Sequence, residues 1–156
     1  MKARPFAPML TVIIDARNDV DRLPALLAQL TAGAVDGLVR QVAIVATDGQ
    51  SVIADLCEET GAETHLTIEA AAAAARAHWL AVVPAGFRLR DGWIGSLNGH
   101  LAGGGQAAIV EGMPANGLFA RRPFGVLVER SSLVAGQGAD LNRLRRRLGF
   151  NPRRAG

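Results

Sequence analysis

Residues able to carry chemistry are few and dispersed along the chain. His65, His78 and His100 lie in different segments with no ligand spacing. Cys57 is the single cysteine, which removes an internal disulfide and a cysteine-based zinc site from consideration. No P-loop, G-x-G-x-x-G, G-x-S-x-G or H-E-x-x-H pattern is present. What remains are polar residues that follow apolar runs: Asp15, Arg17, Asn18 and Asp19 after the first, Thr47, Asp48 and Gly49 after the second, and Arg88, Arg90 and Asp91 after a third. Asp48-Gly49 alone reads as a turn, and Asn18 as a loop residue. Asp140 precedes the basic run Arg143 to Arg147, where an acid suits the positive end of a helix and the arginines offer charge to a phosphate or an acidic partner.

The runs that carry these residues alternate with helical patterns. Met9 to Asp15 is β-branched and of strand length, and residues 20–30 place Val20, Leu23, Leu26, Leu27 and Leu30 at helical spacing. A second strand is expected near 40–46, a helix from Val52 to Thr60 stopped by Gly61, and a short strand at 63–66. An alanine-rich helix from Glu69 to His78 and a strand at 79–84 follow, then a helix over 93–101. Strands near 107–111 and 125–129 and a basic helix over 139–148 complete the pattern. Continuous apolar strands separated by helices predict one Rossmann-like three-layer α/β domain with a mainly parallel central sheet. Ligands of such sheets sit beyond the carboxyl ends of the strands, which makes residues 15–19, 47–51 and 84–91 the candidate site. The edge around 107–130 is exposed in this reading, and a homodimer or protein partner is expected to cover it.

Composition narrows the class. With 156 residues, 49% apolar and 20% charged, the chain fits one globular domain and excludes a disordered or collagen-like one. No apolar run reaches the ~20 residues of a membrane-spanning helix, and the N-terminus lacks a signal-peptide pattern, so a cytoplasmic location is expected. The net charge of +3 is unevenly placed: six of the seventeen basic residues fall within 143–154, leaving eleven against fourteen acids elsewhere. Only Lys2 is a lysine, a bias of the kind a GC-rich bacterial genome produces. The division expected is an N-terminal arm at 1–8, a domain at 9–149 and a basic tail at 150–156. Nucleic acid is not the expected partner, because stacking aromatics are not interleaved with the arginines. The tail is read first as a solvated helix end, with weak contact to an anionic membrane surface as its other role.

An ordered set of segments resembles the family 2 glycosyltransferases and their GT-A nucleotide-diphosphosugar-binding fold. Leu10 to Asp19 resembles the family's opening strand and Pro-Ala-Arg-Asn-Glu turn, with Asp15 in the proline position. Val42 to Ser51 resembles the second strand and its Asp-Asp-Gly-Ser turn. Ala72 to Val83 followed by Phe87 to Ile94 resembles the alanine-rich helix, third main strand and Asp-Pro-Gly-Trp-Leu segment, and Gly138 to Gly149 resembles the Glu-Asp segment with its Arg-rich helix. The resemblance covers roughly residues 9–149 and implies nucleotide contacts at Ala16, Asn18, Asp48 and Gly49, with Asp140 as the base that deprotonates an acceptor hydroxyl.

The chain departs from that pattern in two places. The family's metal-binding Asp-x-Asp is replaced by Pro84-Ala85-Gly86, so no cofactor and no divalent metal are expected. The segment that supplies cations to the diphosphate is shortened between Thr67 and Arg76. The Gly-Gly-x-x-x-Arg loop of GT-A-like nucleotidyltransferases is absent as well, which argues against nucleotidyl transfer. The expected function is a degenerate family 2-like protein that binds a nucleotide or nucleotide-sugar with weak or no transfer. The alternatives are an active glycosyltransferase acting on an unknown acceptor and a docking module that works through its basic tail.

Overall fold

The computed structural model describes residues 9–17, 21–47, 51–113, 123–133, 140–148 and 153–155. In chain order it runs β1 (Leu10–Asp15), α1 (Leu23–Asp36), β2 (Val39–Val45), α2 (Ser51–Thr60), β3 (Glu63–His65), α3 (Ile68–Ala73), β4 (Trp79–Pro84), α4 (Trp93–Ala102), β5 (Ala108–Glu111), β6 (Phe124–Glu129), α5 (Leu141–Arg147) and β7 (Arg153–Ala155). The seven strands form one sheet in the order β3-β2-β1-β4-β6-β5-β7. β1 pairs in parallel with β2 and β4, β2 with β3, and β5 with β7, while β6 runs antiparallel to both its neighbours. The mainly parallel α/β domain expected from the sequence is present.

Successive side chains of a strand point to opposite faces, and the central strands bury both. Leu10, Val12 and Ile14 of β1 join a core with Leu23, Leu26, Leu27 and Leu30 of α1 and Leu97 of α4. Ile13 joins the opposite core with Ile68, Ala71 and Ala72 of α3 and Leu144 of α5. The helices therefore form two layers around the sheet. Trp93 is a packing residue of the first layer: a Cβ added at Gly33 of α1 would come within 2.4 Å of its ring.

Three elements differ from the sequence expectation. α1 starts at Leu23, with Pro24 in its first turn, and continues to Asp36, where Gly37 closes it at φ 95°. α3 stops at Ala73 instead of His78, for a reason that lies in the strands beneath it. Gln41 on β2 accepts from the Arg76 backbone N–H at 2.8 Å and donates to the Ala74 carbonyl at 3.2 Å, and the Thr11 hydroxyl accepts from the Ala77 N–H at 3.4 Å. These buried polar groups take over backbone groups that a longer helix would have paired. Lastly, the segment read as a basic tail contributes β7, which pairs with the outer edge of β5.

Candidate functional site

The carboxyl ends of β1, β2 and β4 lie side by side, because Asp15 is in register with Val45 on one side and with Pro84 on the other. Beyond β1 the Ala16 N–H donates to the Val45 carbonyl at 2.8 Å, and the Ala85 N–H returns to the Asp15 carbonyl at 3.1 Å. Arg17 then folds back onto Asp15: its Nε donates to Oδ1 and its Nη2 to Oδ2, both at 2.9 Å, and its backbone N–H reaches Oδ1 at 3.3 Å. Both side chains are partly buried, at 30% and 16% exposure. The hydrogen bond that Arg17 donates to Asp15 is the main influence raising its guanidinium above the ordinary pKa; burial opposes it, and the charges of Asp15, Asp140 and Glu69 add to it.

Asp140, the residue before α5, is near enough for its charge to act on Arg17. Packing of Leu144 into the core beside α3 seats the helix, and Asp140 caps it, with Oδ1 accepting from the Arg143 N–H at 2.8 Å and Oδ2 lying 3.6 Å from Arg143 Nε. One turn further on, Arg145 stands 4.7 Å over the ring of Phe124, the first residue of β6. The loop after β4 is pinned: Gln29 of α1 exchanges two hydrogen bonds with Leu89, at 2.8 and 3.1 Å, and Arg88 accepts the Met113 N–H on its carbonyl at 2.8 Å.

Of the residues singled out from the sequence, Asp140 is the cap of α5, and Ala16 is wholly buried just beyond β1, leaving only its backbone for a ligand. Asn18, Asp48 and Gly49 lie outside the described residues. Asp15 and Arg17 fall in the candidate segment 15–19, but their pairing is not among the sequence expectations; its signal is an acid and an arginine two residues apart where an apolar strand ends. His65, His78 and His100 remain separate, held near Glu63, Glu129 and the Gln106 carbonyl. Cys57 is half-buried, and burial pushes its thiol pKa up. Pro84, Ala85 and Gly86 at the end of β4 have no side-chain oxygen, and among the described residues no group of three or more His, Cys, Asp or Glu is placed to hold a metal.

No protein-family description matches the chain, and no curated protein matches it. Solved structures do. Mannosyl-3-phosphoglycerate synthase from Rubrobacter xylanophilus superposes with a TM-score of 0.52 at 18% identity, over 67% of this chain and 40% of that one. Glucosyl-3-phosphoglycerate synthase from Mycobacterium tuberculosis, solved in complex with Mn2+, UDP and glucosyl-3-phosphoglycerate, gives 0.53 at 12% identity, over 80% and 57%. The 4-diphosphocytidyl-2C-methyl-D-erythritol synthase of Anaerococcus prevotii gives 0.58 at 11% identity, over 96% and 88%. The chain thus spans about half the length of the two sugar-transferring synthases. The mycobacterial complex corrects the expectation that a divalent metal has no place here, since a protein of the same fold carries Mn2+ together with UDP. Strand order, the antiparallel sixth strand and these superpositions lead to one conclusion: the chain has the GT-A-like fold of the nucleotide-diphosphosugar transferases.

Proposed function

We propose that this protein is a family 2 glycosyltransferase-like chain that binds a nucleotide or nucleotide-sugar at the carboxyl end of its sheet, with sugar transfer weak or absent. The observation that carries this reading is the end of β4, where a GT-A-like fold is retained but Pro84, Ala85 and Gly86 offer no side-chain oxygen. Nucleotide contacts are assigned to the Ala16 backbone and to Asn18, Asp48 and Gly49, at the ends of the two strands that flank the site. The absent Gly-Gly-x-x-x-Arg loop favours a nucleotide-sugar over a nucleotidyl-transfer substrate.

The placement of Asp140 supports a second reading, an active transferase. Its charge acts on Arg17 just beyond β1, and a carboxylate in that position could serve as the base for an acceptor hydroxyl. Against this, Asp140 is already engaged as the α5 cap, with its Oδ1 held by the Arg143 N–H. Calorimetry with UDP-, GDP- and TDP-sugars in the presence of Mn2+, coupled to an assay for released nucleoside diphosphate, separates the two. Binding without release is expected. Sustained release abolished by Asp140→Asn would establish the active reading, and absence of binding to all three donors would overturn both.

A further inference from the structure

The clamp on Arg17 is side-on. Asp15 accepts from Nε and Nη2, and among the described residues Nη1 donates no hydrogen bond. Four other arginines around the sheet are committed or distant. Arg88 turns Nη1 onto the Phe87 carbonyl and Nη2 onto the Arg22 carbonyl, and Arg90 pairs with Glu111 at 3.5 Å. Arg76, which closes the shortened segment after α3, sits at the amino-terminal end of the sheet with its N–H on Gln41, and Arg130 is beside it, donating Nη1 to the Ala75 carbonyl. Neither can reach a ligand beyond the strand ends.

We propose that Arg17 binds the phosphate groups of the nucleotide through its Nη1 edge, and that Asp15 is the positioning residue that holds the guanidinium there. This inference rests on the nucleotide-binding reading above. A guanidinium suits a phosphate because its planar fork donates several hydrogen bonds in fixed directions. A free arginine must surrender side-chain freedom when it binds; Arg17 has already surrendered it to Asp15. Since Asp15 also cancels the charge of Arg17, the gain comes from direction rather than net attraction. That distinction has a sign. Asp15→Asn removes a negative charge beside an anion site, so attraction alone would tighten diphosphate binding, whereas loss of positioning weakens it.

The test is calorimetry on the wild type, Arg17→Gln, Arg17→Lys and Asp15→Asn, using UDP, GDP and TDP, each paired with its nucleoside, with Mn2+ present throughout. Thermal unfolding shows which variants are folded, and Arg17→Lys carries the test if Arg17→Gln is not. Arg17→Gln is expected to lower affinity for the bound diphosphate about 10- to 100-fold, the range for a charge-assisted hydrogen bond, and affinity for the nucleoside less than about threefold. Arg17→Lys should lose part of this, and Asp15→Asn about three- to tenfold. Unchanged diphosphate affinity in both Arg17 variants, equal loss for diphosphate and nucleoside, or unchanged or tighter binding in Asp15→Asn overturns the assignment and leaves the nucleotide-binding reading intact. A wild type that binds none of the three diphosphates overturns both.

Discussion

At the amino-terminal end of the sheet, Thr11 and Gln41 sit almost wholly buried and their polar atoms are used up: the Thr11 hydroxyl donates to Gln41 Oε1 at 3.1 Å, and the Gln41 amide donates to Glu63 at 2.9 Å and to the Ala74 carbonyl. At the carboxyl end, Asp15, Arg17 and Asp140 are only partly buried, and their bonds are made within two or three residues of sequence. One end joins distant segments into a structure; the other holds polar groups at the surface by local contacts. The comparison teaches where substitutions should cost stability and where they should cost binding.

The largest expected effect is at the amino-terminal end. Gln41→Leu leaves the Arg76 N–H, the Ala74 carbonyl and the Thr11 hydroxyl without their partner, and should cost about 3 kcal/mol, read as a lower urea midpoint with an unchanged slope. Gly33→Ala comes next. The new methyl would meet both Trp93 and Val39, at the first residue of β2, and overpacking of this kind costs about 2 kcal/mol even after the helix-propensity gain. The smallest belongs to the carboxyl end: Asp140→Ala removes the α5 cap at a cost of about 1 kcal/mol, while Asp140→Asn keeps a capping oxygen and should unfold within about 0.5 kcal/mol of the wild type. Comparable losses for Gln41→Leu and Asp140→Ala in chemical denaturation would erase the contrast between the two ends.

The same contrast explains what could be read in the sequence. Strands β1, β2 and β4 are continuous apolar runs, and their bounds were readable because burial on both faces demands that composition. The end of α3 was not, because alanine favours helix through Ala77 and the groups that stop it, Thr11 and Gln41, are dozens of residues away. β7 was hidden for a related reason: a short segment with two arginines has no strand signature until β5 offers it an edge. At the site, Asp140 was legible as an acid ahead of a basic helix. The clamp between Asp15 and Arg17 was not, since proline is the residue that the resemblance led one to expect at position 15, and the bond depends on how the chain turns after β1.

The order of strands has a consequence for how the molecule is made. β5 precedes β6 in the chain, yet it reaches the sheet only through β6, which lies between it and β4, and its other neighbour, β7, comes later still. A nascent chain that has just emerged through Glu111 therefore carries an apolar strand, Ala108 to Val110, with neither neighbour yet synthesised. At ~5–20 residues per second the wait for β6 is on the order of seconds, long compared with hydrophobic collapse. During that interval β4 presents an open edge to any other strand in reach, which makes the stretch between β5 and β6 the natural point for chaperone engagement or for misassembly of the newborn protein.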